Sequence, residues 1–197
     1  TTVTNSIGKF TFEDYTIGED VNVGRSFIVA KFSGSQQFPD GPSGIRYYPN
    51  DAYMDVIAVP DEFYITSETA IVLNEKSFPD VLIRNGEARI EGQLVESFKG
   101  QPKQKGIGNM LITAYLKQGD EILKMGVDKT QTSAEFRGIF EIKTTNVPST
   151  LDVGKVTVLV EYTPEPVDEG VPLYRSSSNI TEAEIWSSTR VDVIQVG

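Results

Sequence analysis

Apolar residues along this chain recur with period two and almost nowhere with period 3.6, which restricts it to strands half buried against a core. Successive side chains of a strand point to opposite faces, so each such run carries one apolar and one polar side. Phe10 and Phe12 share one face, Phe27 and Val29 another, and Tyr53 alternates with Asp55 before Ile57 and Val59. Further runs are 63–66, 70–73, 88–98, 110–116, 136–142, 156–162 and 191–196. Their β-branched and aromatic content suits a pleated surface. Turn formers punctuate them: Pro39-Asp40-Gly41-Pro42, Pro49-Asn50-Asp51, Asn85-Gly86, Gln118-Gly119-Asp120 and Pro164-Glu165-Pro166. That punctuation predicts a sandwich of short antiparallel strands. The nearest approach to a helix is 178–187, where Asn179 or Thr181 would cap a short helical turn containing Glu182 and Glu184.

The 197 residues include no histidine and no cysteine. An imidazole base, a Ser-His or Cys-His nucleophile pair, a thiolate zinc site and a disulfide are therefore excluded. What is left is carboxylate chemistry, hard-cation binding by oxygen, and work done by shape. The balance of 18 basic against 28 acidic residues, a net of -10, argues against nucleic acid, whose binding needs a cationic stripe. The most basic stretch, from Lys99 to Lys105, is interrupted by Gly100 and Pro102 and reads as a solvated loop, with 100–106 a flexible hairpin loop. No apolar run approaches the ~18 residues of a membrane helix. The first residue is Thr1 rather than methionine, as expected of a processed product whose leader has been removed. Asn179-Ile180-Thr181 is an N-glycosylation sequon, consistent with export and with a glycan at Asn179.

Asn85-Gly86 marks an expected boundary between an amino-terminal β region, 1–85, and a second unit, 86–197. That second unit opens on Ala88-Arg89-Ile90-Glu91-Gly92-Gln93-Leu94 and continues through 110–116. Then follow Thr132, Phe136-Arg137-Gly138-Ile139-Phe140, Leu151-Asp152-Val153-Gly154, Val156-Thr157-Val158 and Glu161-Tyr162. This order resembles the immunoglobulin-like and prealbumin-like modules repeated in archaeal and bacterial cell-surface proteins. It departs from the antibody type in having no Cys pair and no core Trp between them. The ends, Thr1-Thr2 and Ile194-Gln195-Val196-Gly197, are similar to those of cannula subunits, which build extracellular tubes in hyperthermophilic archaea. The resemblance implies an all-β chain of one or two immunoglobulin-like or jelly-roll antiparallel sandwiches at or outside the cell surface. Family modules of this kind serve as spacers, surface-layer units or filament subunits.

The expected function is accordingly a non-catalytic, extracellular, self-assembling subunit of a filament, tube or surface layer. The strand donor to a neighbouring copy would be the uncharged segment Thr1, Thr2, Val3, Thr4, Asn5, Ser6, Ile7 and Gly8, in which Val3 and Ile7 project to one face. No cofactor is required, but calcium has a candidate site at Glu165, Asp168 and Glu169 in a proline-bounded loop, where it would join subunits. The alternative is a carbohydrate-binding or adhesion module whose ligand rests on Tyr47, Tyr48 or Trp186.

Overall fold

The structure is a computed structural model and describes residues 16–18, 21–26, 31–32, 50–51, 63–74, 78–165 and 172–188. The expected strands at 10–12, 27–29, 53–59 and 191–196 lie outside the described residues. The chain divides into two compact units, Val23–Thr66 on its own and Thr1–Asn22 together with Ser67–Gly197.

In the smaller unit, β1 (Gly24–Ser26) pairs antiparallel with β4 (Phe63–Ile65), and β2 (Lys31–Phe32) pairs antiparallel with β3 (Asn50–Asp51).

The larger unit contributes β5 (Glu68–Leu73), β6 (Val81–Ile83), β7 (Ala88–Phe98), β8 (Gln101–Gly106) and β9 (Leu111–Gln118), then β10 (Glu121–Lys129), β11 (Ile139–Thr144), β12 (Gly154–Tyr162) and β13 (Ser177–Trp186). One sheet has the order β10-β9-β12-β13-β6; the other is β11-β7-β5, with β8 also paired to β7. Apart from the parallel β13–β6 pair, the ladders are antiparallel, and no helix occurs among the described residues. The protein is all-β, with two sheets sharing one apolar core, as the period-two pattern predicts.

The alternation fixes which residues fill that core. Ala88, Ile90 and Leu94 of β7 and Phe140 and Ile142 of β11 face Ile112, Ala114 and Leu116 of β9, Val156, Val158 and Val160 of β12, and Ala183 and Ile185 of β13. Each large side chain so buried contributes about 1.5–3 kcal/mol. Gly92 leaves the space in which the Phe140 ring sits: a Cβ there would lie 2.6 Å from Phe140 Cζ and 2.7 Å from the Val72 carbonyl oxygen. The β11–β12 connection turns Val147 and Leu151 into the core, and the Arg84 guanidinium donates to the Leu151 carbonyl oxygen.

Four expectations need correction. The stretch expected to form a helical turn at 178–187 is strand β13, because its burial alternates with Ala183 and Ile185 inside and Glu182, Glu184 and Trp186 outside. The flexible loop expected at 100–106 is strand β8, reached through Lys99 (φ 50°) and Gly100 (φ 76°) and closed by the Phe98–Gln101 pair. Two consecutive positive φ angles suit a tight hairpin turn, and the glycine adopts its angle without strain. Asn85-Gly86 is a turn inside the larger unit rather than its boundary, since β5 and β6 upstream of it pair with β7 and β13 downstream. Finally, the strand expected from 136 begins at Ile139, leaving Phe136 in an exposed turn.

Candidate functional site

The donor segment from Thr1 to Gly8 lies outside the described residues, as do Asp168, Glu169, Tyr47 and Tyr48. Of the calcium candidates, Glu165 alone is described; it is exposed just beyond β12. Among the described residues no three acidic side chains are grouped to hold a metal ion. Trp186 ends β13, 53% exposed as a residue, with its Nε1 donating to Glu184 Oε2 at 3.2 Å. Asn179 faces inward on β13: its Nδ2 donates to the Ile71 carbonyl oxygen of β5 at 2.8 Å, and its Oδ1 accepts the Ile180 N–H at 2.7 Å. The sequon nitrogen thus fastens one sheet to the other.

The opposite flank has a matching clasp. Asp128 on β10 accepts the Glu141 N–H of β11 at 2.7 Å and the Lys129 N–H at 2.8 Å. Gly126 lets the strands approach there, since a Cβ would lie 2.9 Å from Ile142 Cγ2. On the Asn179 side, the start of β5 is also covered by a parallel bridge from Ser67 to Tyr174, where Ser67 donates to the Leu173 carbonyl oxygen at 2.9 Å and Arg175 donates back at 3.0 Å. β8 is protected by composition, with Pro102 and lysines at 103 and 105, devices that discourage another strand from pairing. At the clasp, an open crevice of about 540 Å³ is lined by Ile71, Val72, Phe78, Asn179, Thr181 and Glu182.

A polar cluster lies near the β7–β8 hairpin. Glu96 is 5% exposed, and its Oε1 meets Lys105 Nζ at 2.9 Å, so the buried carboxylate is paired. Tyr174 is held above the usual tyrosine pKa by burial first and by the Glu96 charge second. Tyr162, whose hydroxyl donates to Met110 Sδ at 3.5 Å, is raised by burial, then by Tyr174 and Glu165. Raised tyrosines stay neutral at ordinary pH and donate hydrogen bonds; neither is primed as a base or nucleophile.

The outward face of the five-stranded sheet is the least expected surface. Its register sets Tyr115 of β9, Leu159 of β12 and Ile180 of β13 side by side in one row. Ile180 is 61% exposed, and Ile122, Val127 and Leu111 on the same face are also exposed. Charge is divided across the face: Lys117 and Lys124 lie on β9 and β10, Glu182 and Glu184 on β13. Such in-register pairs support the sheet, yet an outward face usually alternates to polar residues. The signal was present in the sequence: Tyr115, Leu159 and Ile180 each occupy the supposedly polar phase of an alternating run.

No family model and no curated protein matches the chain. Among solved structures, it is similar to a beta-glucosidase from Listeria innocua, solved in complex with isofagomine, at 12% identity and a TM-score of 0.34. That match covers 77% of this chain, which spans 19% of the enzyme's length. A likeness this slight transfers no activity.

Proposed function

We propose that the chain is a non-catalytic structural subunit of an extracellular assembly and works by associating with copies of itself. The observation that carries this reading is the in-register apolar row Tyr115–Leu159–Ile180 on a sheet whose unit has its flanks fastened by Asn179 and Asp128. A unit closed in this way keeps its own strands and presents a firm surface, as a building block requires. Extended apolar outer surface is characteristic of association sites. The segment from Thr1 to Gly8 remains the proposed link between copies along a filament, tube or layer.

The test is assembly of the full chain, followed by sedimentation and negative-stain microscopy, beside a variant lacking residues 1–8. Concentration-dependent polymers of the full chain, lost on deletion while the β-type circular dichroism persists, support the reading. Discrete monomers at every concentration overturn it. A second reading, a carbohydrate-binding or adhesion module, is favoured by the exposed Trp186 indole fixed through its Nε1 bond to Glu184. Glycan binding by monomers, abolished by Trp186→Ala, would establish it instead.

A further inference from the structure

We infer that the outward face of the β10-β9-β12-β13-β6 sheet docks a second copy of this chain face to face, about a two-fold axis running along β12. The inference rests on the self-association reading above and specifies its geometry. An isologous interface must be self-complementary, because every residue that meets another is met by it in turn. Two sheets stacked face to face are related by an axis lying between them. When that axis runs along β12, β12 lies over its own copy and β9 lies over β13. The residue rows keep their order.

Each row then tests the fit. In the central row, Leu159 meets Leu159, and Tyr115 meets the partner's Ile180. In the next row, where the register aligns Lys117, Thr157 and Glu182, Thr157 meets Thr157 and Lys117 meets the partner's Glu182. By symmetry this ion pair forms twice. Lys117 and Glu182 are both exposed, and neither has an ion-pair partner among the described residues. Lys155, on the axis, stands beside Glu184 in its row and so lies near the partner's Glu184 as well. An axis across the strands would instead set each strand over its own copy, placing lysines over lysines. The charge division therefore selects one of the two face-to-face arrangements.

The overlap is small. About the β12 axis, β9, β12 and β13 stack fully while β10 lies over the three-residue β6; three strands ~4.8 Å apart and about eight residues long at ~3.4 Å give a face of roughly 15 by 25 Å, or on the order of 750 Å² buried between two copies. That is below the ~1,000 Å² of a stable specific interface, so the pair is a weak, transient one. Two residues on the axis oppose the arrangement, since Lys155 and Glu161 each face their own copy. Lys155 has Glu184 beside it in its row, whereas Glu161, between Thr113 and Ser178, has no cation in its row.

The decisive experiment is charge exchange in the full chain, read by sedimentation equilibrium. Lys117→Glu alone and Glu182→Lys alone should each weaken self-pairing by about tenfold or more, since each sets like charges opposite twice. An equimolar mixture of the two variants should recover pairing to within about threefold of the natural chain, because both cross-copy contacts become opposite in sign. Glu161→Gln should tighten the natural pair. Circular dichroism of each variant excludes unfolding as the cause. If the natural chain associates but the reversals or the mixture leave pairing unaltered, the face is not the interface and this inference fails while the structural reading stands. If association is lost only on deleting residues 1–8, strand donation alone joins the copies and the inference fails. Monomers throughout would overturn both.

Discussion

Removing the Asp128 carboxylate should loosen the β10–β11 flank of the sandwich. Its Oδ2 accepts the partly buried Glu141 N–H at 2.7 Å, and its Oδ1 accepts the neighbouring Lys129 N–H at 2.8 Å. The Lys129 bond is local and accessible to water, so its loss costs little. The Glu141 bond spans thirteen residues and joins the edges of two sheets. A hydrogen bond to a charged acceptor contributes about 1.5–3 kcal/mol, and a stranded N–H adds a desolvation penalty. Because Asp128 is only half buried, the lower part of that range applies, and Asp128→Ala should cost about 2 kcal/mol. Asp128→Asn keeps one carbonyl oxygen for Glu141 and should cost about 1 kcal/mol. In urea, with a slope of roughly 2 kcal/mol/M, the alanine variant's midpoint should fall by about 1 M at unchanged slope. Native-state hydrogen exchange sharpens the test. The Glu141 amide should lose roughly thirtyfold protection if it exchanges through local opening, while Ile90 and Leu94 on β7 shift only with global stability. An alanine variant with the natural midpoint and unchanged Glu141 exchange would refute the clasp.

High pH should destabilise the fold through Tyr162 and Tyr174. Burial raises both above the ordinary tyrosine value of about 10, so at alkaline pH the unfolded chain releases protons first. Their contribution is intact below about pH 10 and declines as pH rises from there through the folded-state values; thermal melts between pH 8 and 11 should show the decline, and Tyr162→Phe with Tyr174→Phe should flatten it. An unchanged slope in the double variant would assign the decline to other groups. Gly92→Ala should cost about 1–3 kcal/mol by thermal or urea unfolding, since the new methyl meets both the Phe140 ring and the Val72 carbonyl oxygen. Adding Phe140→Leu should recover only part of that loss, because the Val72 contact is backbone; full recovery would show that the ring is the whole obstacle.

The strands that sequence reading located are those whose periodicity is uninterrupted. β7 was legible from Ala88 to Phe98, and β12 nearly so, because Val156, Val158, Val160 and Tyr162 keep phase with no competing signal. β10 was not. Its register slips between Lys124 and Gly126, so Leu123 and Met125 lie inside before the bulge and Val127 lies outside after it, and a strict period-two reading sees no strand. β8 was hidden by lysines and a proline, the residues that mark a loop and also protect an edge strand. β13 misled because Asn179 and two glutamates imitate a capped helical turn; only tertiary pairing with β12 over nine positions decides the matter. The clasps were illegible for a different reason. Asn179 and Ile71 are 108 residues apart, and no local pattern states which carbonyl an inward amide will find. The outer face was half legible: its apolar outliers could be read from phase, but their alignment into one row needed the register of three strands.

β13 concentrates both roles of its sheet in adjacent residues. Asn179 points inward and fastens β5, whereas Ile180 points outward and ends the apolar row. Alternation alone keeps the two apart, since a strand cannot turn neighbouring side chains to one face without a bulge. β10 repeats the division: Asp128 reaches β11 from the inner phase, and Val127 is exposed on the outer one. A sandwich can meet its own copies by adding strands at its edges or by stacking its faces. Here the side chains that tie down the flanks occupy the inward phase of β10 and β13, and the residues left free for contact occupy the outward phase. Closing the edges therefore takes nothing from the face. The register of that face is held by the backbone ladders joining β9, β12 and β13, while the clasps pin β10 and β13 to the second sheet. A row of three apolar side chains flanked by lysine on one side and glutamate on the other has defined geometry only while that register holds, so the ladders that stabilise a single chain are also what would make its outer surface a repeatable point of contact.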